Sequence, residues 1–199
     1  KCSSPSGISM VSGPKRSITT PTRELWNRIR TEVVSPPNMP NTLLEYTAIA
    51  TVADVMDLED ENRIFVKYGL KLLEKTKNKG LHAILKVNDL LDKTISAYHI
   101  GFIIGPCFNA AGRLETVKSA LDLLMCDNEA EAEKKAMELK LLNESRKEMT
   151  VKGFEQAVEK IENSSLLEDK VLLVKLENCH ESLVGIIAGR IREKYNRPT

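Results

Sequence analysis

The chain is predicted to be α/β, on three observations. An apolar run, Ala48-Ile49-Ala50-Thr51-Val52-Ala53, ends in an acid, Asp54. A stretch from Asn128 to Ile161 carries apolar residues at helical spacing. After it, Lys170-Val171-Leu172-Leu173-Val174-Lys175-Leu176 reads as a strand, and a further helical pattern comes next.

The composition narrows the classes. A chain of 199 residues holds one domain or two small ones, and 42% hydrophobic residues support a real core. The formal net charge of +1 steers nothing toward a polyanion as a whole, so any nucleic-acid contact must come from local patches. Cys2, Cys107, Cys126 and Cys179 form no CxxC pair, which suggests neither zinc nor a disulfide framework. They read as reduced thiols of a cytoplasmic protein. No apolar run is long enough for a bilayer, and Lys1-Cys2-Ser3-Ser4-Pro5 does not open a signal peptide. The chain lacks an initiator Met and stops just after a helical pattern, so it reads as a piece of something longer.

The elements come in this order. Residues 1–40 are rich in Ser, Pro and Gly and read as an irregular segment; Trp26 to Val34 could form a short helix before Pro36-Pro37 and Pro40 break it. Leu43 to Ala53 is a buried helix or a buried strand, since a short apolar run fits both. Asp60-Glu61-Asn62 opens a helix with Ile64, Tyr68 and Leu72 on one face, and Gly80 stops the segment after it. Leu81 to Leu91 is helical. His99 to Leu114 reads as a Gly-rich turn region, and Glu115 to Met125 returns to helix with Val117, Leu121 and Leu124 inward. From Asn128 to Ile161 the stripe is Ala132, Ala136, Leu139, Leu142, Met149, Ala157 and Ile161, with Asp127 as N-cap. This length suits a helix bridging two lobes and equally an ordinary surface helix. A second α/β unit begins near residue 165.

Two segments could carry chemistry. In Gly105-Pro106-Cys107-Phe108-Asn109-Ala110-Ala111-Gly112-Arg113, small residues keep the backbone open, Asn109 brings an amide, and Arg113 offers a donor fork suited to phosphate. A helix N-terminus beside it would favour an anion. The plainer reading, a tight turn with a solvated Arg113, stands ahead on these residues alone. In Cys179-His180-Glu181-Ser182, between strand and helix, His180 could donate to a phosphate oxygen or move a proton, and Ser182 is placed to cap the helix. Arg190 lies two turns further on. His82 and His99 have no such setting and read as structural. For Asp54 the plain reading is an exposed end or cap; the sharper one is a metal ligand.

Together the pieces resemble one family. ATVADVMDLEDENR resembles the fourth motif of the DHH phosphoesterases in the RecJ branch, GPCFNAAGRL the motif after it, LLNESRKEM the bridging-helix signature, and CHESLVGIIAGRIREKYNRP the opening of a DHHA1 domain. The resemblance runs from about Leu43 to Thr199. It implies the C-terminal part of a DHH domain at 41–126, a bridging helix at 127–163 and the start of a DHHA1 domain at 165–199. It further implies Mn²⁺ or Mg²⁺ as cofactor, single-stranded DNA as substrate and release of mononucleotides from a 5′ end by metal-activated water, in DNA repair and recombination. Asp54 would be a metal ligand, which would supply the cationic compensation its position asks for. His180 joins it as a catalytic group, and Asn109, Arg113, His180, Ser182 and Arg190 would bind substrate. No Asp-His-His and no N-terminal Asp-x-Asp is present, and the Gly-rich end of DHHA1 is absent. The remaining metal ligands are therefore expected before residue 1, and the piece alone is expected to be inactive. Cys107 stands where many members carry Arg.

Overall fold

The structure, a computed structural model, describes residues 41–177 and 179–199. The irregular segment expected at 1–40, with its short helix at Trp26 to Val34, lies outside the described residues. Every regular element among the described residues is helical. None of these helices is long and apolar enough to cross a membrane.

Helix α1 spans Asn41–Ala53, which resolves the apolar run as helix rather than strand. Helix α2, Asp60–Leu73, returns against it. The two approach closely at Gly69, where a Cβ would stand 2.4 Å from the Ala48 side chain and 2.5 Å from the Leu44 carbonyl oxygen. Val66, Gly69 and Leu73 are the buried residues of α2. The expected face, Ile64, Tyr68 and Leu72, is turned aside because the glycine-mediated contact sets the rotation.

Helix α3, Lys79–Val87, is capped by the Asn78 side chain, which accepts from the Leu81 amide. Gly80 lies inside its first turn and stops nothing. A Cβ there would sit 2.1 Å from the Leu123 carbonyl oxygen, so the glycine permits close packing. A short helix α4, Ala97–His99, runs through a π-helical stretch, Ile100–Ile104, into α5, Gly105–Leu114. His99 accepts from the Ser96 backbone in a capping box, the structural role expected of it. The region read as Gly-rich turn is therefore helix. Pro106 follows directly on the π-helical stretch, inside a helix that already runs from Ala97, and the small Ala110 and Ala111 are buried.

Helix α6, Val117–Leu124, buries Ala120 and Leu123. Val117 and Leu121, expected inward, are 70% and 55% exposed. Helix α7, Glu129–Glu162, has 34 residues. Its N-cap is Asn128, which accepts from the Glu131 amide, rather than Asp127. Its N-terminal half contributes Ala132, Ala136 and Leu139 to a core with Ile84, Leu85, Ile100, Ile104 and Leu123. Its C-terminal half contributes Ala157 and Ile161 to a second core with Leu172, Leu183, Ile187 and Ile191. Helix α8, Glu181–Tyr195, supplies the last three of these.

The strand expected at 170–176 is not formed among the described residues, which removes the sheet from the expected α/β architecture. Its side chains still alternate: Leu172, Val174 and Leu176 join the second core, while Val171 and Leu173 are 48% and 78% exposed. A strand is a pairing of backbones as well as a pattern of side chains. Among the described residues, the backbone partner of this segment is the Pro198 carbonyl, 2.8 Å from the Leu172 amide.

Candidate functional site

Helix α5 connects the residues of interest. Gly105, Asn109 and Arg113 recur every fourth residue and so share one face. A Cβ on Gly105 would lie 3.1 Å from the Ala53 side chain, which seats the end of α1 on the start of α5. Asp54 comes directly after Ala53. By helix geometry the start of α5 and Arg113 are about 12 Å apart along the axis. Asn109, between them, is exposed.

Asp54 occupies the C-terminal end of α1. The Met56 amide donates to the Thr51 carbonyl at 3.0 Å and the Val55 amide to the Val52 carbonyl at 3.1 Å. These are the two bonds of a Schellman closure, which places Asp54 at the cap and Val55 in the left-handed position that usually falls to glycine. Val55 has φ 55° and is 87% exposed. A β-branched side chain there costs on the order of 1–2 kcal/mol, and such strain gathers at functional sites. The aspartate is exposed and, among the described residues, has no ion-pair partner. It also faces the negative end of its own helix, where an acid is disfavoured. A cation would relieve both conditions. In kind, an open carboxylate oxygen fits a hard divalent metal; in number it does not, since magnesium asks for six oxygen ligands. Among the described residues no group of three or more His, Cys, Asp or Glu could hold a metal.

At the other end of α5, Arg113 and Ser182 lock two helices together. The guanidinium Nη1 of Arg113 donates to the Ser182 carbonyl at 2.8 Å, and the Ser182 hydroxyl donates to the Arg113 carbonyl at 2.9 Å. His180, not Ser182, is the N-cap of α8: its Nδ1 takes the Ser182 amide at 3.4 Å and lies 2.8 Å from the Ser182 hydroxyl. Arg113 therefore sits in the last turn of α5, and the helix N-terminus beside it is that of α8, not its own. His180 is exposed and lines a small cavity of about 130 Å³ with Met149, Lys152 and Gly153. Of the expected residues, Arg113 and His180 are thus joined through Ser182.

The stripe of α7 holds residues that the sequence pattern alone does not single out. Its buried face runs on from Leu139 to Asn143, Thr150, Gly153 and Ala157. Asn143 is 4% exposed; its Oδ1 accepts from Arg146 Nε at 3.1 Å and Nη2 at 3.0 Å, and its amide nitrogen lies 3.8 Å from the Cys107 sulfur. Cys107 faces this inner packing rather than solvent, and burial pushes its thiol up. Thr150 donates to the Arg146 carbonyl at 2.7 Å. Burial, then the charges of Arg113 and Arg190, hold the Arg146 guanidinium below the usual arginine pKa. Arg190 on α8 is therefore within electrostatic reach of Arg146, as is Arg113. The sequence did carry a signal: polar residues at 143, 146 and 150 continue the spacing of the apolar stripe.

In sequence, the chain is 38% identical over 169 residues to the single-stranded-DNA-specific exonuclease RecJ of Salmonella typhimurium, covering 83% of this chain and 29% of that relative. It is 37% identical over 169 residues to the same exonuclease of Escherichia coli, with the same coverage, and 33% identical over 160 residues to that of Bacillus subtilis, covering 80% of this chain and 20% of the relative. Among solved structures, RecJ of Thermus thermophilus in complex with Mg²⁺ matches with a TM-score of 0.67 at 32% identity, over 87% of this chain and 26% of that one. An exonuclease RecJ bound to manganese matches with a TM-score of 0.68 at 31% identity, over 87% of this chain and 42% of that one. No family model matches. The chain thus spans under a third of the length of these curated relatives.

Proposed function

Because the chain belongs to the RecJ family of single-stranded-DNA-specific exonucleases, we propose that it is the portion of such an enzyme that joins one metal ligand to a phosphate-gripping wall. It comprises the C-terminal part of a DHH domain, a bridging helix at 127–163 and the start of a DHHA1 domain. The observation that carries this reading is Asp54: an exposed acid at the negative end of α1, beside a strained Val55, with no cation of its own among the described residues. Asp54 contributes one carboxylate ligand to Mn²⁺ or Mg²⁺, the remainder coming from outside this chain. A bound metal would lower the pKa of a water molecule and so supply the nucleophile for phosphodiester hydrolysis.

This chain's own residues orient the strand. Arg113 keeps donors beyond the one given to the Ser182 carbonyl in the first turn of α8, and on α5 it shares a face with Asn109. His180, whose Nδ1 is turned to Ser182, keeps Nε2 as a donor to a phosphate oxygen or as a proton carrier. The whole enzyme would remove mononucleotides from the 5′ end of single-stranded DNA, in repair and recombination.

The test uses the parent protein with labelled single-stranded DNA and Mn²⁺. Mononucleotide release that Asp54→Asn abolishes supports the reading; undiminished release by that variant removes it. Preferential hydrolysis of short oligonucleotides or cyclic dinucleotides would instead make it a small-substrate DHH phosphoesterase. The 199-residue chain alone is expected to release nothing. One observation favours a second reading, a non-catalytic nucleic-acid-binding module: the described residues do not hold a complete metal site. Binding without release by the parent protein would select it.

A further inference from the structure

We propose that Arg146 is a third phosphate-gripping guanidinium, completing with Arg113 and Arg190 an anion cradle at the junction of α5, α7 and α8, and that Asn143 is the residue that positions it. This deepens the exonuclease reading and rests on it.

The middle of α7 lies between two apolar cores, and its inward positions there are polar. A buried amide is costly unless its hydrogen bonds are made. Asn143 makes them by taking two N–H groups of one guanidinium on a single oxygen. That geometry fixes the plane of the Arg146 fork. Among the described residues, it leaves Nη1 and the outer Nη2 hydrogen without a protein acceptor within bonding distance. Thr150 braces the backbone of the same residue.

The other two arms come from different helices. Arg113 is aimed at the first turn of α8 by its bond to the Ser182 carbonyl, and Arg190 lies two turns further along α8. Helices α5 and α7 meet where the Asn143 amide lies 3.8 Å from the Cys107 sulfur, and α7 and α8 meet where a Cβ on Gly153 would stand 2.5 Å from the Ile187 side chain. The three arginines thus come from helices in direct contact, and Arg146 feels the charge of the other two. Among the described residues, none of the three pairs with a carboxylate within 4.0 Å. Asn143 holds Arg146 and the reciprocal bonds with Ser182 hold Arg113, so with Arg190 nearby these like charges are unfavourable until an anion arrives. A phosphate, with oxygens that accept from several planar forks, is the ligand such a set recognises. A phosphate of a nucleic-acid strand and a free phosphate share that chemistry.

The experiment measures binding of a labelled single-stranded oligonucleotide to this chain by fluorescence anisotropy across a salt series. Wild-type binding should weaken with salt, and Arg146→Met should weaken it further, on the order of tenfold, while lowering the slope of log affinity against log salt by about 0.7. Asn143→Leu should give the same loss, and the double variant should be no worse than either single one, because both remove the same arm. A purely structural role would shift the melting temperature without changing the salt slope. An unchanged affinity and slope in Arg146→Met, or no binding by wild type at low salt, overturns the cradle. A 5′-phosphorylated strand that outcompetes its 5′-hydroxyl counterpart assigns the cradle to a terminal phosphate, and equal competition assigns it to an internal phosphodiester. Full displacement of the strand by millimolar inorganic phosphate would show that the cradle takes free phosphate first and would overturn the strand assignment. The two readings fail separately. Cradle-dependent binding without DNA degradation by the parent protein sinks the nuclease and leaves the cradle; degradation with an unaffected Arg146→Met sinks the cradle alone.

Discussion

The two ends of α5 are held in opposite ways. At its start, Gly105 lets α1 come down so closely that Ala53 touches the helix, and the chain leaves that contact through a strained Val55 with an acid exposed beside it. At its finish, Arg113 is bonded in both directions to Ser182, and behind it a buried Asn143 holds a second arginine. Among the described residues, one end has negative charge without a paired cation and the other has positive charge without a paired carboxylate. The difference teaches that neither end is an ion pair waiting to collapse on the other. A rigid helix of roughly 12 Å keeps them apart, so that a phosphodiester and a cation, arriving together, can satisfy both.

Each substitution that disturbs one end should leave the other readable. Gly105→Ala is expected to have the largest effect on stability. Its Cβ would sit 2.9 Å from the Ile100 carbonyl oxygen and 3.1 Å from the Ala53 side chain, so the π-helical stretch must shift and α1 give way with it, at a cost of about 2 kcal/mol in a denaturant melt. Loss of stability below a few tenths would mean that the acid end is not anchored where the structure places it. Ser182→Ala removes the hydroxyl that donates to Arg113 and should cost about 1 kcal/mol. Hydrogen exchange should then quicken in the first turn of α8 and leave α1 unchanged. Val55→Gly relieves the left-handed strain at an exposed position and should gain about 1 kcal/mol, a stabilisation confined to the acid end.

The smallest expected effect is a drift with pH. Glu45 is 4% exposed and accepts from the Thr76 hydroxyl at 2.6 Å, and burial pushes its carboxyl above the usual 4.5. A raised folded-state pKa means that the protonated acid suits the fold. The stability it contributes is full below pH 4.5 and is lost as pH rises through the raised value. Glu45→Gln should therefore gain on wild type as pH rises from below the usual carboxylate value to neutrality in thermal melts; a gap that narrows over that range would reverse the assignment.

Much of this is legible in the sequence, and the misses have physical causes. The long helix, most of its apolar stripe and the acid after the Ala48–Ala53 run can be read from spacing; Met149, expected in the stripe, is exposed, and Thr150 beside it takes the buried position. Helix α5 is hidden because Gly105, Pro106 and Gly112 look like breakers, whereas Pro106 is accommodated just after a π-helical stretch and Gly105 answers a tertiary contact that local rules do not see. The faces of α2 and α6 escape for the same reason: close packing at Gly69 and Gly80 sets their rotation. The alternation at 171–176 is real, but a ladder needs partners that no single segment encodes. Ser182 looks like a cap and is a cross-brace, since the cap falls to His180 two residues earlier. Arg146 escapes any stripe traced on apolar residues alone.

The most direct test of the account is the Mn²⁺ affinity of the parent protein, measured by paramagnetic relaxation of water protons, in wild type and Asp54→Asn. Asp54 is exposed at the negative end of its helix, so neutralising it should not lower the melting temperature. The account predicts that Mn²⁺ affinity falls by at least about tenfold while oligonucleotide binding without metal is retained. Unchanged Mn²⁺ affinity in Asp54→Asn would contradict it.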